Sequence, residues 1–334
     1  MSGQRTLILP IDPNTPEPGV VRQAAAVLRA GQLVAFPTET VYGLGTNALD
    51  PDSVRRIFEA KGRPTTNPLI VHVCDESMLR QVVADWPALA AKLAKRFWPG
   101  PLTLVLPKNP AIPDIVTGGG PTVAVRIPAH PVALALIRET RMPLAAPSAN
   151  RSSELSPTTA EHVWKGLEGR VDLILDAGPT QSGIESTVLD LTTEPPTLLR
   201  PGPIGVADIE SLIGPIQRSR SMPRLGPLPS PGMLERHYAP QTPLELFNTR
   251  TALELRASEL LASAKRVRKV LLGGVDQTAT VMPTNHDQYA ARLFAELHYL
   301  DSLWLNHILI EMPPDIDEWL AVRDRLTRAA AKYS

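Results

Sequence analysis

The sequence predicts an α/β protein: a large N-terminal part on a mixed parallel and antiparallel sheet, then a smaller C-terminal α/β part. Three observations predict it. Short apolar runs recur as far as Leu199 with helical stretches between only some of them, which favours a mixed sheet over a purely doubly wound one. A proline-rich stretch without hydrophobic periodicity, from Gly214 to Pro243, interrupts the chain. Beyond it, apolar runs and helical spacing resume.

Val20 to Ala30 has helical spacing and stops at Gly31, a C-terminal cap signal. Leu33 to Phe36 reads as a buried strand. Asp50 and Pro51 read as the cap and first position of a helix running to about Ala60. Leu69 to Val73 is a strand, and Met78 to Phe97 is helical with a break at Pro87. Leu102 to Leu106, Thr122 to Ile127 and Leu144 to Ala146 are short strands, and Val132 to Glu139 and Thr158 to Lys165 are helical. Leu173 to Leu175, Thr187 to Leu191 and Thr197 to Leu199 are strands. After the proline stretch come strands at Val270 to Leu272 and Ala279 to Met282, and a helix over Gln288 to Trp304. A strand at His307 to Ile310 and a helix over Glu318 to Lys332 follow. The expected division is residues 1–214, a linker over 215–242, and residues 243–334.

The chain's 334 residues allow about two domains at ~150 residues each. Hydrophobic residues at 43% and charged residues at 20% are a globular composition. Basic and acidic residues balance at 34 each, which speaks against a dedicated tRNA or DNA binder but leaves a local basic groove open. The single cysteine, Cys74, excludes an intrachain disulfide and fits a reducing compartment. At the end of an apolar run it reads as a passive buried thiol. Met1 to Pro18 lacks the apolar core of a signal peptide, and no apolar stretch approaches the ~20 residues of a membrane span. A soluble, cytoplasmic protein is expected, with no membrane partner.

The chemistry-bearing residues cluster at the ends of the N-terminal strands. Pro37 to Gly45 presents two threonine hydroxyls, a glutamate and a tyrosine, with Gly43 and Gly45 letting backbone approach a ligand. Lys61 and Arg63 lie two apart, held between Gly62 and Pro64. Hydroxyls beside fixed cations suit a phosphorylated or carboxylated small molecule. Strand alternation puts Val123, Val125 and Ile127 on one face and Thr122, Ala124 and Arg126 on the other. Arg126 and Thr122 then face a groove if the valines are core; a solvated outer face is the alternative. His72 reads as a structural strand histidine or a groove residue. Ser148 and Asn150, and Ser186 and Thr187, suit plain turns or strand starts as well as a site. Arg200 adds a cation at a strand end. No C-x-x-C, H-E-x-x-H or phosphate-loop motif occurs, so no protein-ligated metal is expected. In the linker, Ser230 to Pro240 mixes aromatic, basic and histidine side chains that a passive spacer does not need.

Taken in order, PTETVYGLG, KGRPTTNPLIVH, VAVRIP, APSAN, SPT, ESTVLDL and LLRPGP resemble the YrdC-like family. SPGMLERHYAP and the C-terminal part match its longer, two-domain members, which are threonylcarbamoyl-AMP synthases. The resemblance runs from about Leu28 to Ala330. It implies a YrdC-like twisted mixed sheet with helices around a concave groove, and a Rossmann-like C-terminal part. It implies an enzyme that joins L-threonine, bicarbonate or CO2 and ATP into L-threonylcarbamoyl-AMP, releasing pyrophosphate. Mg2+ would accompany the ATP. A threonylcarbamoyl transferase would then use the product to modify tRNA beside the anticodon, and weak contact with tRNA itself is compatible with this. By motif match, Lys61, Arg63, Ser148 and Asn150 fall on catalytic and nucleotide positions. Thr38, Thr40, His72, Arg126 and Ser186 fall on the L-threonine side, with Arg126 meeting the amino-acid carboxylate. Asn67, Thr122, Ser156, Arg200 and Tyr238 fall on nucleotide contacts, Ala146 through backbone alone. Tyr238 and its neighbours would close over the groove. A regulatory or RNA-binding module using the same groove is the competing reading. A carbamoyl-transfer relative of the hydrogenase-maturation type would need zinc-finger and acylphosphatase-like segments, for which this chain has no room.

Overall fold

In the computed structural model, which describes residues 5–218 and 237–331, helix boundaries follow local chemistry. The Asp50 carboxylate accepts from the N–H groups of Asp52 and Ser53, Pro51 takes the first helical position, and Gly62 closes the helix at φ 61°. That left-handed cap fixes where Lys61 and Arg63 leave the helix.

The element order begins β1 (Leu7–Pro10), α1 (Pro18–Arg29), β2 (Val34–Phe36), β3 (Gly43–Asn47), α2 (Pro51–Lys61) and β4 (Ile70–His72). Next come α3 (Glu76–Leu79), α4 (Ala88–Phe97), β5 (Leu102–Pro107), α5 (Asp114–Thr117), β6 (Thr122–Arg126), α6 (Pro131–Thr140) and β7 (Leu144–Ala145). They are followed by α7 (Ala160–Leu167), β8 (Leu173–Asp176), β9 (Thr187–Asp190), β10 (Thr197–Arg200), α8 (Val206–Ile213) and β11 (Gln217–Arg218). The C-terminal part holds β12 (Leu244–Phe247), α9 (Arg250–Ala262), β13 (Val267–Leu272), β14 (Ala279–Met282), α10 (His286–Asp301) and β15 (His307–Glu311). A 3-10 turn (Asp317–Trp319) leads into α11 (Leu320–Ala330).

Eleven strands form one sheet in the order β1-β8-β2-β3-β7-β4-β6-β5-β9-β10-β11, with parallel and antiparallel neighbours mixed as expected. The second sheet, β12-β15-β13-β14, is wholly parallel. Between β4 and β6 the parallel register sets His72 beside Arg126. Val123 and Val125 point into the main core, so the alternation sends Arg126 to the opposite face, where it is also buried. A second core joins C-terminal residues such as Phe294, Trp319 and Leu326 to Val41, Leu155, Ile184 and Tyr238.

Several elements differ from expectation. Gly43 to Gly45 belongs to β3 rather than to a loop, and Gly45 does not open a path to a ligand: a Cβ there would meet the Phe36 ring at 2.6 Å. The helix expected over Met78 to Phe97 is two, because the chain leaves helical geometry after Arg80 and restarts only behind the extended Pro87. The elements β1, α5, α8, β11, β12 and α9 were not expected. In α9, Leu255 and Leu261 are exposed while Leu253 and Leu260 are buried, so no single apolar stripe marks it. Residues 230–236 of the linker island lie outside the described residues.

Candidate active site

The groove begins with the chain leaving β2. Thr38, Glu39 and Thr40 are all buried, and the segment folds on itself: the Thr38 hydroxyl donates to the Val41 carbonyl at 2.7 Å and lies 2.7 Å from the Thr40 hydroxyl. Arg126 reaches it from β6, pairing with Glu39 Oε2 at 2.9 Å and donating to Thr40 Oγ1 at 3.2 Å. Its Nε, Glu39 Oε1 and His72 Nδ1 are buried without partners.

The opposite wall starts at the end of α2. Lys61 Nζ donates to the carbonyls of Ser148 (2.6 Å) and Asn150, tying the helix to the loop after β7. Arg63 donates to the Asn67 side-chain oxygen at 2.6 Å and to the Pro68 carbonyl at 2.8 Å. Asn150 Nδ2 holds the Arg151 and Glu154 carbonyls, both at 2.8 Å. A third wall comes from β9 and β10. Arg200 donates from Nε to the Ser186 carbonyl at 3.0 Å and from a terminal nitrogen to its hydroxyl at 3.1 Å. The Ser186 hydroxyl lies 2.7 Å from that of Thr103.

His237 and Tyr238 cover the space between these walls, their rings perpendicular with centroids 3.9 Å apart. The cavity beneath them measures about 40 Å³. Small-molecule sites usually enclose roughly 300–1,000 Å³, so the cavity under the His237–Tyr238 segment is small for one. Asn67 Nδ2, Asn150 Oδ1, His237 Nδ1 and the Tyr238 hydroxyl are also buried without partners. Of the unpartnered atoms, those of His72, Arg126, His237 and Tyr238 belong to residues lining this one cavity, where a ligand could satisfy them.

The site is electropositive. Lys61, Arg63, Arg126 and Arg200 are buried around two buried carboxylates, Glu39 and Glu185. Burial, then the nearby Arg63, pushes the Lys61 ammonium well below its ordinary range. Burial lowers Arg63 to about 10 and also lowers Arg126, against the pull of Glu39. His72 is held neutral by burial and then Arg126; His237 by burial and then by Arg63, Lys61, Arg200 and Arg325. A dianionic or polyanionic ligand would relieve this accumulation of charge.

Of the residues singled out in the sequence, Thr38, Thr40, His72, Arg126 and Ser186 line the cavity, as do Arg63, Ala146, Ser148, Arg200 and Tyr238. Lys61, Asn67 and Ser156 stand behind that lining and join it through hydrogen bonds. Thr122 is only half-buried at the start of β6 and does not line the cavity. Asn150 lines a separate cavity of about 730 Å³ with Glu154, His162 and His298. Sequence reading missed Glu39 as the partner of Arg126, and Glu185 and Arg325; His237 belongs to the linker island that it singled out. The glutamates carried a signal, lying within PTETVYG and ESTVLDL; Arg325 carried none. Among the described residues no group of three His, Cys, Asp or Glu side chains is arranged to hold a metal ion.

Comparison with known proteins identifies the family. The Sua5/YciO/YrdC family model, described as "Telomere recombination", matches residues 26–202. The chain belongs to this family. A second model, "Threonylcarbamoyl-AMP synthase, C-terminal domain", matches residues 204–331 of this Sua5/YciO/YrdC member. It is similar to the threonylcarbamoyl-AMP synthase of Pyrococcus abyssi, 44% identical over 93% of this chain and 94% of the relative. The Bacillus subtilis threonylcarbamoyl-AMP synthase is 45% identical over 93% of this chain and 92% of the relative. The crystal structure of P. abyssi Sua5 complexed with L-threonine superposes with a TM-score of 0.90 at 43% identity, covering 97% of this chain and 98% of that one.

Proposed function

We propose that this groove condenses L-threonine, bicarbonate or CO2 and ATP into L-threonylcarbamoyl-AMP with release of pyrophosphate, as an adenylyl-transferring enzyme supplying a tRNA modification. The observation that carries the proposal is the gathering of four buried basic side chains and a set of unpartnered polar atoms beneath the His237–Tyr238 cover. Likeness to proteins named threonylcarbamoyl-AMP synthase supports the choice of reaction.

The threonine amine attacks carbon dioxide, and the resulting carbamate oxygen attacks the α-phosphorus of ATP as pyrophosphate leaves. Two anions must meet, so fixed cations at the meeting point lower the barrier electrostatically, and positioning contributes much of the rest. Arg126 is assigned to the threonine carboxylate, through its open Nε and a terminal nitrogen, with Thr38, Thr40, His72 and Ser186 around the amino acid. Lys61, Arg63, Ser148 and Asn150 are assigned to the nucleotide and its phosphates. Asn67, Ser156, Arg200 and Tyr238 are placed on the same side, with Ala146 offering backbone, and Thr122 at its outer edge. The ammonium of Lys61 already holds the Ser148–Asn150 loop, so its role includes setting that loop's shape.

Mg2+ would arrive on the ATP phosphates. It commonly keeps several waters and takes one or two carboxylates besides phosphate oxygens, and Glu39, with an unpartnered Oε1, fits that requirement. Held there, the ion would supply neutralisation of phosphate charge. The His237–Tyr238 cover would shield a labile adenylate from water. The division into residues 1–214, 215–242 and 243–334 belongs to the same reading; two separate sheets support two parts, while the second family match begins at residue 204 and β11, at Gln217–Arg218, still belongs to the first sheet. A cytoplasmic location, and hand-over to a threonylcarbamoyl transferase, follow from the reaction proposed. Among the described residues no helix is long and apolar enough to cross a membrane.

Mass detection of threonylcarbamoyl-AMP, dependent on all three substrates, tests the proposal. Salt-sensitive tRNA binding with no threonine-dependent pyrophosphate release would refute it in favour of an RNA-binding module.

A further inference from the structure

We propose that Arg325, on α11, is a positioning residue through which the C-terminal part shapes the nucleotide side of the groove. The inference rests on the function proposed above. Arg325 is 1% exposed, although arginine is among the residues least often fully buried without a partner. Its Nε donates to Glu185 Oε2 at 2.8 Å, and a terminal nitrogen reaches the Glu185 carbonyl at 3.4 Å. The other terminal nitrogen pairs with Asp324 at 2.7 Å. The second carboxylate oxygen of Glu185 accepts from the Ser156 hydroxyl. One guanidinium therefore fixes the backbone and side chain of Glu185, immediately before Ser186, and through it Ser156.

The same guanidinium lies 5.0 Å from the centre of the Tyr238 ring, within cation–π range. Tyr238 needs such support. Its φ of 61° is left-handed, a conformation that a side chain with a Cβ disfavours, and its hydroxyl is buried without a partner. Phe294 of α10 packs on the ring at 5.6 Å, and the His237 N–H reaches the Arg328 carbonyl of α11 at 3.4 Å. Burial alone would weaken the charge on Arg325, but Tyr238, Glu185 and Asp324 hold its pKa above the ordinary range. The loop carrying Glu185 comes close enough because Gly183 has no side chain: a Cβ there would stand 2.5 Å from the Ala290 carbonyl oxygen of α10. Ser156 and Tyr238 both fall on the nucleotide side, so Arg325 organises the ATP wall and the cover together while touching neither substrate. A purely structural tie would look different: the exposed Arg218–Asp317 pair also joins the two parts, at 2.6 Å, and reaches no groove residue.

The test uses the full chain with Arg325→Lys and Arg325→Met, and Asp317→Asn as the comparison. Affinity for α,β-methylene-ATP is measured by calorimetry, and pyrophosphate release as a function of ATP and of threonine. Loss of one charge-assisted contact predicts an approximately tenfold weaker analogue affinity and tenfold higher ATP KM. Threonine KM at saturating ATP should stay within about twofold, and Asp317→Asn should match wild type. Arg325→Met leaves Glu185 buried without its cation, so Arg325→Met/Glu185→Gln serves if the single variant does not fold; buried pairs often tolerate joint replacement. Its analogue affinity should fall similarly. Wild-type analogue affinity in a folded Arg325 variant, or equal rises in ATP and threonine KM, would overturn the inference. If wild type binds the analogue in an Arg325-dependent way but makes no threonylcarbamoyl-AMP, the positioning role stands and the proposed reaction falls. Absence of analogue binding by wild type overturns both.

Discussion

Replacing Arg126 separates what it does for the fold from what it does for a substrate. Arg126 and Glu39 have side chains 3% and 8% exposed and pair at 2.9 Å. Arg126→Ala leaves the Glu39 carboxylate buried and uncompensated, which typically costs about 3–5 kcal/mol. Total stability is only about 5–15 kcal/mol for a folded domain, so this variant alone confounds folding with binding. Arg126→Ala/Glu39→Gln removes both charges and should recover most of the lost stability. It should not recover threonine binding. A charge-assisted hydrogen bond contributes about 1.5–3 kcal/mol, so losing the carboxylate's partner should raise threonine KM about 10- to 100-fold. The assay is threonine-dependent pyrophosphate release at saturating ATP and bicarbonate, with thermal melts on the same samples. A well-folded double variant whose threonine KM stays within twofold of wild type would refute the assignment of Arg126 to the carboxylate.

Three further outcomes are expected. Lys61→Met removes the donor to the Ser148 and Asn150 carbonyls, and turnover should fall at least about 100-fold as loop and phosphate contacts are lost together; single-turnover assays would check it. The stacked rings of His162 and His298, 3.9 Å apart, titrate lower in the folded protein than in the unfolded chain, whose histidines titrate near 6.5. Burial, and for His162 then its neighbour, pushes them to about 3 and about 4. The unfolded chain thus binds more protons between roughly pH 6.5 and 4, and stability should fall through that window as pH drops. The slope is at most about 1.4 kcal/mol per pH unit per histidine, and less for the partly solvated His162. Melting temperatures that do not change from pH 7 to 4.5, or that respond identically in His162→Gln/His298→Gln, would contradict this. Burial, then Asp75, raises the Cys74 thiol to about 11, so alkylation at pH 8 should be at least about 100-fold slower than for an ordinary cysteine, and Cys74→Ala should retain activity.

What was legible in the sequence was mostly local. Asp50 and Pro51 act within a few residues of themselves, and they placed the start of α2 correctly. The alternation in β6 placed Arg126 opposite its valines because strand geometry leaves two faces to choose from. Reading failed where tertiary contact decides. Gly45 looked like an opening for a ligand, yet the ring of Phe36, nine positions earlier and on the neighbouring strand, takes the space. Thr122 shares a face with Arg126 but sits at the strand's start, clear of the cavity. Arg325 lies 140 positions from Glu185, and no spacing rule links a C-terminal helix to a strand that far away.

The cations in this groove are fixed before any substrate arrives. Lys61 is held by two carbonyls, Arg63 by the Asn67–Pro68 turn, Arg200 by Ser186 and Arg126 by Glu39 and Thr40. Carbonyl partners orient a cation without neutralising it, so Arg63 and Arg200 keep their charge available to an incoming anion, whereas burial disfavours the Lys61 ammonium and an incoming anion would favour it again. Arg126 differs in having a full carboxylate partner. A substrate carboxylate must share that guanidinium with Glu39 or displace it, and displacing it would free Glu39 to meet a cation of its own. On the proposed assignments of Arg126 to the threonine carboxylate and of Glu39 to a phosphate-borne Mg2+, the two binding events would be coupled through one side chain. Glu39→Gln should uncouple them: threonine should bind at least as tightly as in wild type, while the Mg2+ concentration required for half-maximal turnover rises. Unchanged Mg2+ dependence in that variant would leave Glu39 as a partner of Arg126 alone.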